Sequence, residues 1–365
     1  MDNNKIINNV IINNNLFKLN FFLKKRRKII ILLDNNIKKF CLKVFNKFLP
    51  NLQNSEIKII KIISGEKNKN LKTCIYIWKK MLKYEVDRSY LLINLGGGVI
   101  TDLGGFVGSL FKRGLKFINI PTTLLSMIDA SIGGKNGINF LDYKNELGVF
   151  RNPINIYINY SFLLSLPKKE ILSGLGEILK YGLIYSKKYW NYIKKINFFN
   201  NNKINWKKII YIAVKIKNII VKKDPEELLG IRKILNFGHT IGHAIESLFL
   251  LKKKKITHGE AIALGMICES WISYKKNFLN LKNYKEITYI ILKFFKVRII
   301  KKKYFKTLLN YIKNDKKNLN NKIYFVLLKS IGKSIFNVEI KKKVIIKSII
   351  IMNRLKNKNK KLYVG

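Results

Sequence analysis

The chain has 365 residues, 48% of them hydrophobic, enough for one large domain or two of ordinary size. Its 72 Lys and Arg against 21 Asp and Glu give a net charge of +51, yet the lysines are scattered along the whole length among many Asn and Ile, residues that share A- and T-rich codons. That distribution reads as compositional drift; it lacks the clustered basic face of a nucleic-acid binder, and no specific nucleic-acid partner is expected.

Residues 1–24 are Asn-rich and weakly patterned, and Asn or Lys interrupts every apolar patch there, so neither a signal peptide nor a membrane span is expected. Residues 28–33 read as a strand ending at Asp34, a candidate partner for a ribose hydroxyl. A second strand at 57–63 leads into Ser64-Gly65-Glu66-Lys67-Asn68-Lys69, and 71–84 reads as an amphipathic helix. Residues 91–137 then organise the chain: a short apolar strand breaks at Gly96, Gly97 and Gly98 and passes into helical periodicity. Glycines at such a turn let backbone N–H groups approach a phosphate at the positive end of a helix. A further strand at 117–120 ends at Pro121-Thr122-Thr123, followed by Asp129 and Gly133-Gly134-Lys135. Alternating strands and helices, with another strand at 154–158, predict a doubly wound parallel sheet up to about residue 160.

From residue 168 onward the signals are helical, at 171–185, 204–222, 233–251, 260–274 and 281–295. Beyond Ile340 the chain reads as a low-complexity basic tail. Cys41, Cys74 and Cys268 lack C-x-x-C spacing, which argues against a disulfide framework or thiolate metal site and suits a reducing cytoplasm.

Three histidines, His239, His243 and His258, fall within twenty positions. His239 and His243 are four apart on a predicted helix, hence on one face, and His258 opens the next helix. Two imidazoles with a carboxylate and an open position form the ligand set of a catalytic zinc, and spacing alone leaves all three histidines eligible. Lys135, Lys144, Lys180, Lys217, Arg113 and Arg232, with the neutral Asn145, could each be an ordinary solvated polar residue, but Lys135 follows two glycines, Lys180 lies three residues beyond Glu177 and Arg232 lies seven residues before His239, placements that suit an anion site.

These stretches carry a resemblance. GGGVITDLGGF, PTTLLSMIDASIGGKNGINF, SGLGEILKYG, RKILNFGHTIGHAIE and HGEAIALGM are similar to the motifs of the 3-dehydroquinate synthase family, over roughly residues 34–332. One position departs from the family: Thr101 stands where glycine is usual, which could crowd the cofactor loop. The resemblance implies an α/β fold with an N-terminal Rossmann-like parallel-sheet domain (1–160), an α-helical metal- and substrate-binding domain (161–340) with the active site in the cleft between them, and the tail (341–365). It implies Glu177, His239 and His258 as ligands of Zn2+, or of Co2+ or another divalent ion, with His243 handling protons or contacting phosphate. It places NAD against Asp34, Asn36, Glu66, Lys69, Gly97, Gly98, Val99, Ile100, Thr101, Asp102, Thr122, Thr123, Lys135, Lys144, Phe162, Leu163, Leu164 and Ser165. Substrate contacts fall on Arg113, Asp129, Lys135, Asn145, Lys180, Lys217, Arg232, Asn236 and His243.

The implied reaction is conversion of 3-deoxy-D-arabino-heptulosonate 7-phosphate to 3-dehydroquinate and phosphate, by oxidation, phosphate elimination, re-reduction and aldol closure. Another sugar phosphate cyclase or a metal-dependent polyol dehydrogenase are the alternatives on the same architecture. A homodimer, an anionic sugar phosphate as the small-molecule partner and no membrane association complete the expectation.

Overall fold

The computed structural model describes residues 28–37, 39–46, 55–141, 143–198, 204–313 and 322–362, together with 5–7, 9–14, 19 and 23. The chain divides into two units, residues 1–167 with 201–226, and residues 168–200 with 227–365. The helix at 206–223, expected among the second domain's helices, thus belongs to the first unit.

The first unit is built on a seven-stranded sheet. In chain order its elements are β1 (Lys5–Ile7), β2 (Val10–Asn13), β3 (Lys28–Asp34), α1 (Lys39–Asn46), β4 (Glu56–Ile62), α2 (Leu71–Lys83), β5 (Leu91–Gly96), α3 (Gly98–Leu110), β6 (Lys116–Pro121), the hairpin β7 (Lys135–Phe140) and β8 (Tyr143–Phe150), and β9 (Asn155–Asn159). The strand order is β1-β2-β9-β6-β5-β3-β4, parallel throughout except where β1 turns back on β2. The edge pair β1 and β2 comes from the stretch that reads as weakly patterned.

β5 lies near the middle of the sheet and all six of its residues are buried, as a parallel strand covered on both faces requires. Asn94 in β5 sits opposite Asn119 in β6 and donates to its side-chain oxygen at 2.9 Å, so the apolar run tolerates this polar pair. α2 starts on the side chain of Asn70, which accepts from Thr73 N–H at 3.0 Å, and buries Cys74, Ile77 and Met81, a spacing that makes one apolar stripe. α3 lies close over the sheet because its glycines allow it: a Cβ on Gly104 would collide with Asn94, and one on Gly105 with Asn136. α6 (Trp206–Lys223) packs on the π-helical turn Ser126–Ala130, which carries Asp129.

The second unit is mostly helical: α4 (Lys168–Tyr185), α5 (Lys187–Ile193), α7 (His239–Leu251), α8 (His258–Lys275), α9 (Leu281–Phe294), α10 (Phe305–Lys313), the hairpin β10 (Tyr324–Ser330) and β11 (Lys333–Glu339), and α11 (Lys342–Leu362). α8 is the central element, buried almost continuously from Gly259 to Ser273 and packed by α4, α7, α9, α11 and β10. Its start is fixed by a capping box in which Thr257 and Glu260 exchange hydrogen bonds with each other's backbone N–H.

Two expectations are corrected here. The single helix expected at 233–251 is broken: a 3₁₀ turn at Ile231–Asn236 ends at Phe237, and Gly238, at φ +80°, turns the chain before α7 begins at His239. The basic tail expected beyond Ile340 is instead helix α11. Its Lys-rich composition hides an apolar stripe, Ile345, Ile349 and Met352, spaced i, i+4, i+7 and completely buried. Among the described residues no helix is long and apolar enough to cross a membrane.

Candidate functional site

In the second unit, the three expected metal ligands meet. Glu177 from α4, His239 at the first residue of α7 and His258 at the first residue of α8 bring ligand atoms within 4.8 Å of one another. Glycines beside each ligand make this possible. Gly176 and Gly259 pack backbone to backbone, a Cβ on Gly176 coming 2.8 Å from the Gly259 Cα, while a Cβ on Gly238 would stand 2.5 Å from Met266. Glu177, His239 and His258 are the immediate neighbours of these glycines in sequence, so the contacts that bring the helices together also bring the ligands together.

Glu177 is completely buried. One cation and two imidazole nitrogens surround it: Lys180 pairs with Oε2, and the Nε2 atoms of His239 and His258 stand 3.5 and 3.6 Å from Oε1. Those imidazole distances are too long for good hydrogen bonds and suit an ion among the three groups. The donor set, two imidazoles and one carboxylate, is that of an open catalytic divalent site. The residues therefore fit the metal.

The tautomer of His239 is set by the Phe237 carbonyl, 3.2 Å from Nδ1, which leaves the Nε2 lone pair facing Glu177. On His258, burial works to lower the pKa, but the carboxylates of Glu177 and Glu246 outweigh it and push the ring up to about 10. His243 is exposed, with its ring centroid 5.0 Å from that of His239 and 5.9 Å from that of His258. Lys180 is buried one helical turn beyond Glu177. Arg232 is buried and Asn236 half-buried on the 3₁₀ turn before α7.

Sequence reading missed two carboxylates. Glu269 of α8 is completely buried and accepts the N–H groups of Gly238 (2.6 Å) and Ile241 (3.3 Å), fixing the turn that starts α7 and with it His239. Glu246 stands 3.4 Å from His258 Nδ1. Its position three residues beyond His243 on the same helix was the available signal.

In the first unit, α3 begins at the glycine turn with no side chain capping it. Ile100 and Thr101 N–H groups bond back to the Gly97 carbonyl, and Thr122 N–H bonds to the Gly96 carbonyl at 2.9 Å, which brings the Thr pair beside the turn. A Cβ on Gly97 would come 3.2 Å from Thr123, and one on Gly98 3.2 Å from Ala130. An uncapped helix start with glycines in this tight space suits a phosphate. Val99 is half-buried and Ile100 buried on this turn. Thr101 is buried and its hydroxyl donates to the Gly98 carbonyl at 3.1 Å, so the departure from glycine is absorbed inside the helix.

Beside the turn lies an ionic network. Lys69 is buried and reaches Asp102 and Asn145, each at 2.5 Å. Burial works to lower the Lys69 pKa, but Asp102 and Glu66 raise it on balance. Asn139 donates to Glu66 at 2.9 Å and accepts from Asn145 N–H at 3.0 Å, tying the segment before α2 to the hairpin β7 and β8. Lys217 of α6 is also buried and reaches Asp129 Oδ1 at 2.5 Å and its carbonyl at 2.6 Å.

The remaining expected residues lie in several places. Asp34 ends β3 and accepts from Asn36 N–H at 2.8 Å, and burial raises its pKa against that bond. Phe162 and Leu163 are buried on the 3₁₀ turn after β9, Leu164 is exposed there, and Ser165 is half-buried. Lys135 is exposed at the start of β7 with Nζ 6.0 Å from the Phe150 ring, and Lys144 is half-buried on β8. Arg113 is exposed on a left-handed turn at φ +64°, and the structure does not gather it into the Lys69 or Lys217 groups.

Comparison with known proteins decides the family. The 3-dehydroquinate synthase N-terminal profile matches residues 59–173 and the C-terminal profile of the same enzyme residues 174–318. The chain belongs to the 3-dehydroquinate synthase family. A 3-dehydroquinate synthase of Parabacteroides distasonis is 38% identical over 325 residues, 89% of this chain and 91% of the relative. Among solved structures, 2-epi-5-epi-valiolone synthase from Streptomyces hygroscopicus, with NAD+ and Zn2+ bound, superposes with a TM-score of 0.84 at 21% identity, covering 96% of this chain and 98% of that one. A 2-deoxy-scyllo-inosose synthase complexed with carbaglucose-6-phosphate, NAD+ and Co2+ gives 0.80 at 22%, covering 93% and 95%. At such identity these two likenesses speak for the fold, while the family assignment rests on the profiles and the closer relative.

Proposed function

We propose that this chain converts 3-deoxy-D-arabino-heptulosonate 7-phosphate to 3-dehydroquinate and phosphate, using NAD and a divalent ion, Zn2+ or Co2+. The observation that carries the reading is the meeting of Glu177, His239 and His258, with ligand atoms within 4.8 Å of one another at a completely buried carboxylate, in a chain of this family. Glu177, His239 and His258 hold the ion, and Gly97, Gly98, Val99, Ile100, Asp102, Thr122 and Thr123 hold NAD, with Asp34 and Asn36 on a ribose. When bound, the ion supplies polarisation of a substrate hydroxyl and the nicotinamide supplies reversible hydride acceptance.

The protein's own residues do the rest. Lys135, Lys217 and Arg232 supply charge for the phosphate and for oxyanions that develop during elimination, with Asn145 and Asn236 donating to hydroxyls. Lys180, paired with Glu177, presents an ammonium beside the ion and orients that carboxylate. His243, exposed beside both ligand imidazoles, gives and takes a proton near the reacting carbons. Asp129 holds Lys217 in place. A cytoplasmic setting and a homodimer go with this reading.

The test is phosphate release from the heptulosonate phosphate with NAD and Zn2+. Release that requires NAD, is lost on chelation and is abolished by Glu177→Gln is expected. Release independent of both NAD and metal would overturn the reading.

A further inference from the structure

His258 belongs to two clusters. One is the set with Glu177 and His239; the other is His243, Glu246 and His258, whose ligand atoms also lie within 4.8 Å of one another. The two clusters use different nitrogens of the shared ring. Nε2 faces Glu177 at 3.6 Å, and Nδ1 faces Glu246 Oε2 at 3.4 Å. A neutral imidazole has one lone pair and one N–H, so it serves one ion at a time. Glu177 is fully buried and two imidazole Nε2 atoms converge on its Oε1 at 3.5 and 3.6 Å, whereas the side chain of Glu246 keeps 18% of its surface exposed to water, so the cluster around Glu177 gains more from an ion. An ion at Nε2 leaves the proton on Nδ1, where Glu246 is placed to accept it.

We propose that Glu246 is a positioning residue of the metal centre: it accepts the Nδ1–H of His258 and fixes the tautomer that offers Nε2 to the ion. This rests on the metal reading above. Glu246 stands on α7 seven residues beyond His239, so one helix carries a ligand and also the group that orients the ligand arriving from α8. Hydrogen-bonded carboxylates of this kind fix the ring and raise its basicity, and their loss costs metal affinity without changing the ligand set.

The experiment is a Co2+ titration of the full chain, followed by visible absorption and chelator competition, for wild type, Glu246→Gln, Glu246→Asp and Glu177→Gln, with melting of the metal-free proteins alongside. Wild type is expected to take one Co2+. Glu246→Gln should bind about 10- to 100-fold more weakly with the same visible band pattern, and its metal-free melting midpoint should drop modestly at neutral pH, because the protonated His258 loses one of its two carboxylates. Glu246→Asp, which keeps the charge on the same helix face, should recover part of that loss and decides the matter if the Gln variant does not fold. Wild-type affinity in both Glu246 variants, with binding lost in Glu177→Gln, would overturn the positioning role and leave the metal reading standing. Two Co2+ in wild type and one in Glu246→Gln would make Glu246 a ligand and overturn it as well. Wild-type affinity in Glu177→Gln would bring down the metal reading and this inference with it.

Discussion

His258 shows what two carboxylates do to one imidazole. Its pKa rises from the ordinary 6.5 to about 10 because Glu177 and Glu246 outweigh burial, so the metal-free ring carries its proton at neutral pH. A metal must take the place of that proton at Nε2. Binding of Zn2+ or Co2+ at pH 7.5 should therefore release about one proton, and apparent affinity should fall by roughly tenfold for each pH unit below 10. Calorimetry in buffers of different ionisation enthalpy measures the release directly, and a value of zero would mean that His258 is not displaced from its proton. Lys69 poses the opposite problem, since its ammonium is buried and the Asp102 carboxylate depends on it. Lys69→Met leaves Asp102 without its cation and should cost about 3 kcal/mol in urea unfolding, while Lys69→Met with Asp102→Asn should recover most of that. A double variant no more stable than the single one would show that the pair is not what stabilises this turn.

Among the elements, α4, α7 and α8 converge where side chains are absent. Gly176 touches Gly259, and a Cβ on Gly259 would run into the carbonyl of Ser173 in α4, so this crossing has no room for alanine. Gly259→Ala should destabilise the metal-free protein by about 1–3 kcal/mol and also weaken Co2+ binding, because the helices bearing Glu177 and His258 must part. Weakened melting with unchanged Co2+ affinity would separate the crossing from the metal centre. This close packing also explains what the sequence conveys and what it conceals. Buried parallel strands such as β5 and amphipathic helices such as α2 announce themselves by apolar periodicity, and the three histidines by their clustering. The strand β8 does not, because its largely exposed residues, Tyr143, Leu147 and Phe150 among them, carry no clean alternation of polar and apolar faces. α11 hides because Lys342, Lys343, Lys347 and Lys356 stand exposed on its solvent side. Glu246 and Glu269 hide because a glutamate in a helix is commonplace until its oxygens are seen beside His258 Nδ1 and the N–H groups that open α7.

At the scale of the whole molecule, a net charge of +51 gives the chain a positive long-range field. That field draws any anionic substrate and is screened by salt over about 8 Å at physiological ionic strength, so by itself it makes no lysine special. Lys135 is the place to separate field from contact. It follows Gly133 and Gly134, both at positive φ (98° and 71°), which turn the chain sharply into β7 and fix where its side chain begins. A Cβ on Gly134 would meet Asn152 at 2.8 Å, so the turn is tight as well as left-handed. If Lys135 contacts the substrate, its charge acts most strongly as negative charge grows during elimination, and Lys135→Met should lower kcat/KM by about a hundredfold. Lys347, exposed on α11, contributes the same unit charge to the field from a place with no proposed contact. Lys347→Met should be nearly silent, and so should other lysines of that helix. Measured at fixed ionic strength and again at raised salt, the Lys135 variant should keep its deficit while the small effects of the others vanish. Equal small losses across the set, all erased by salt, would show that Lys135 contributes only to the general field and that the substrate contact assigned to it is wrong.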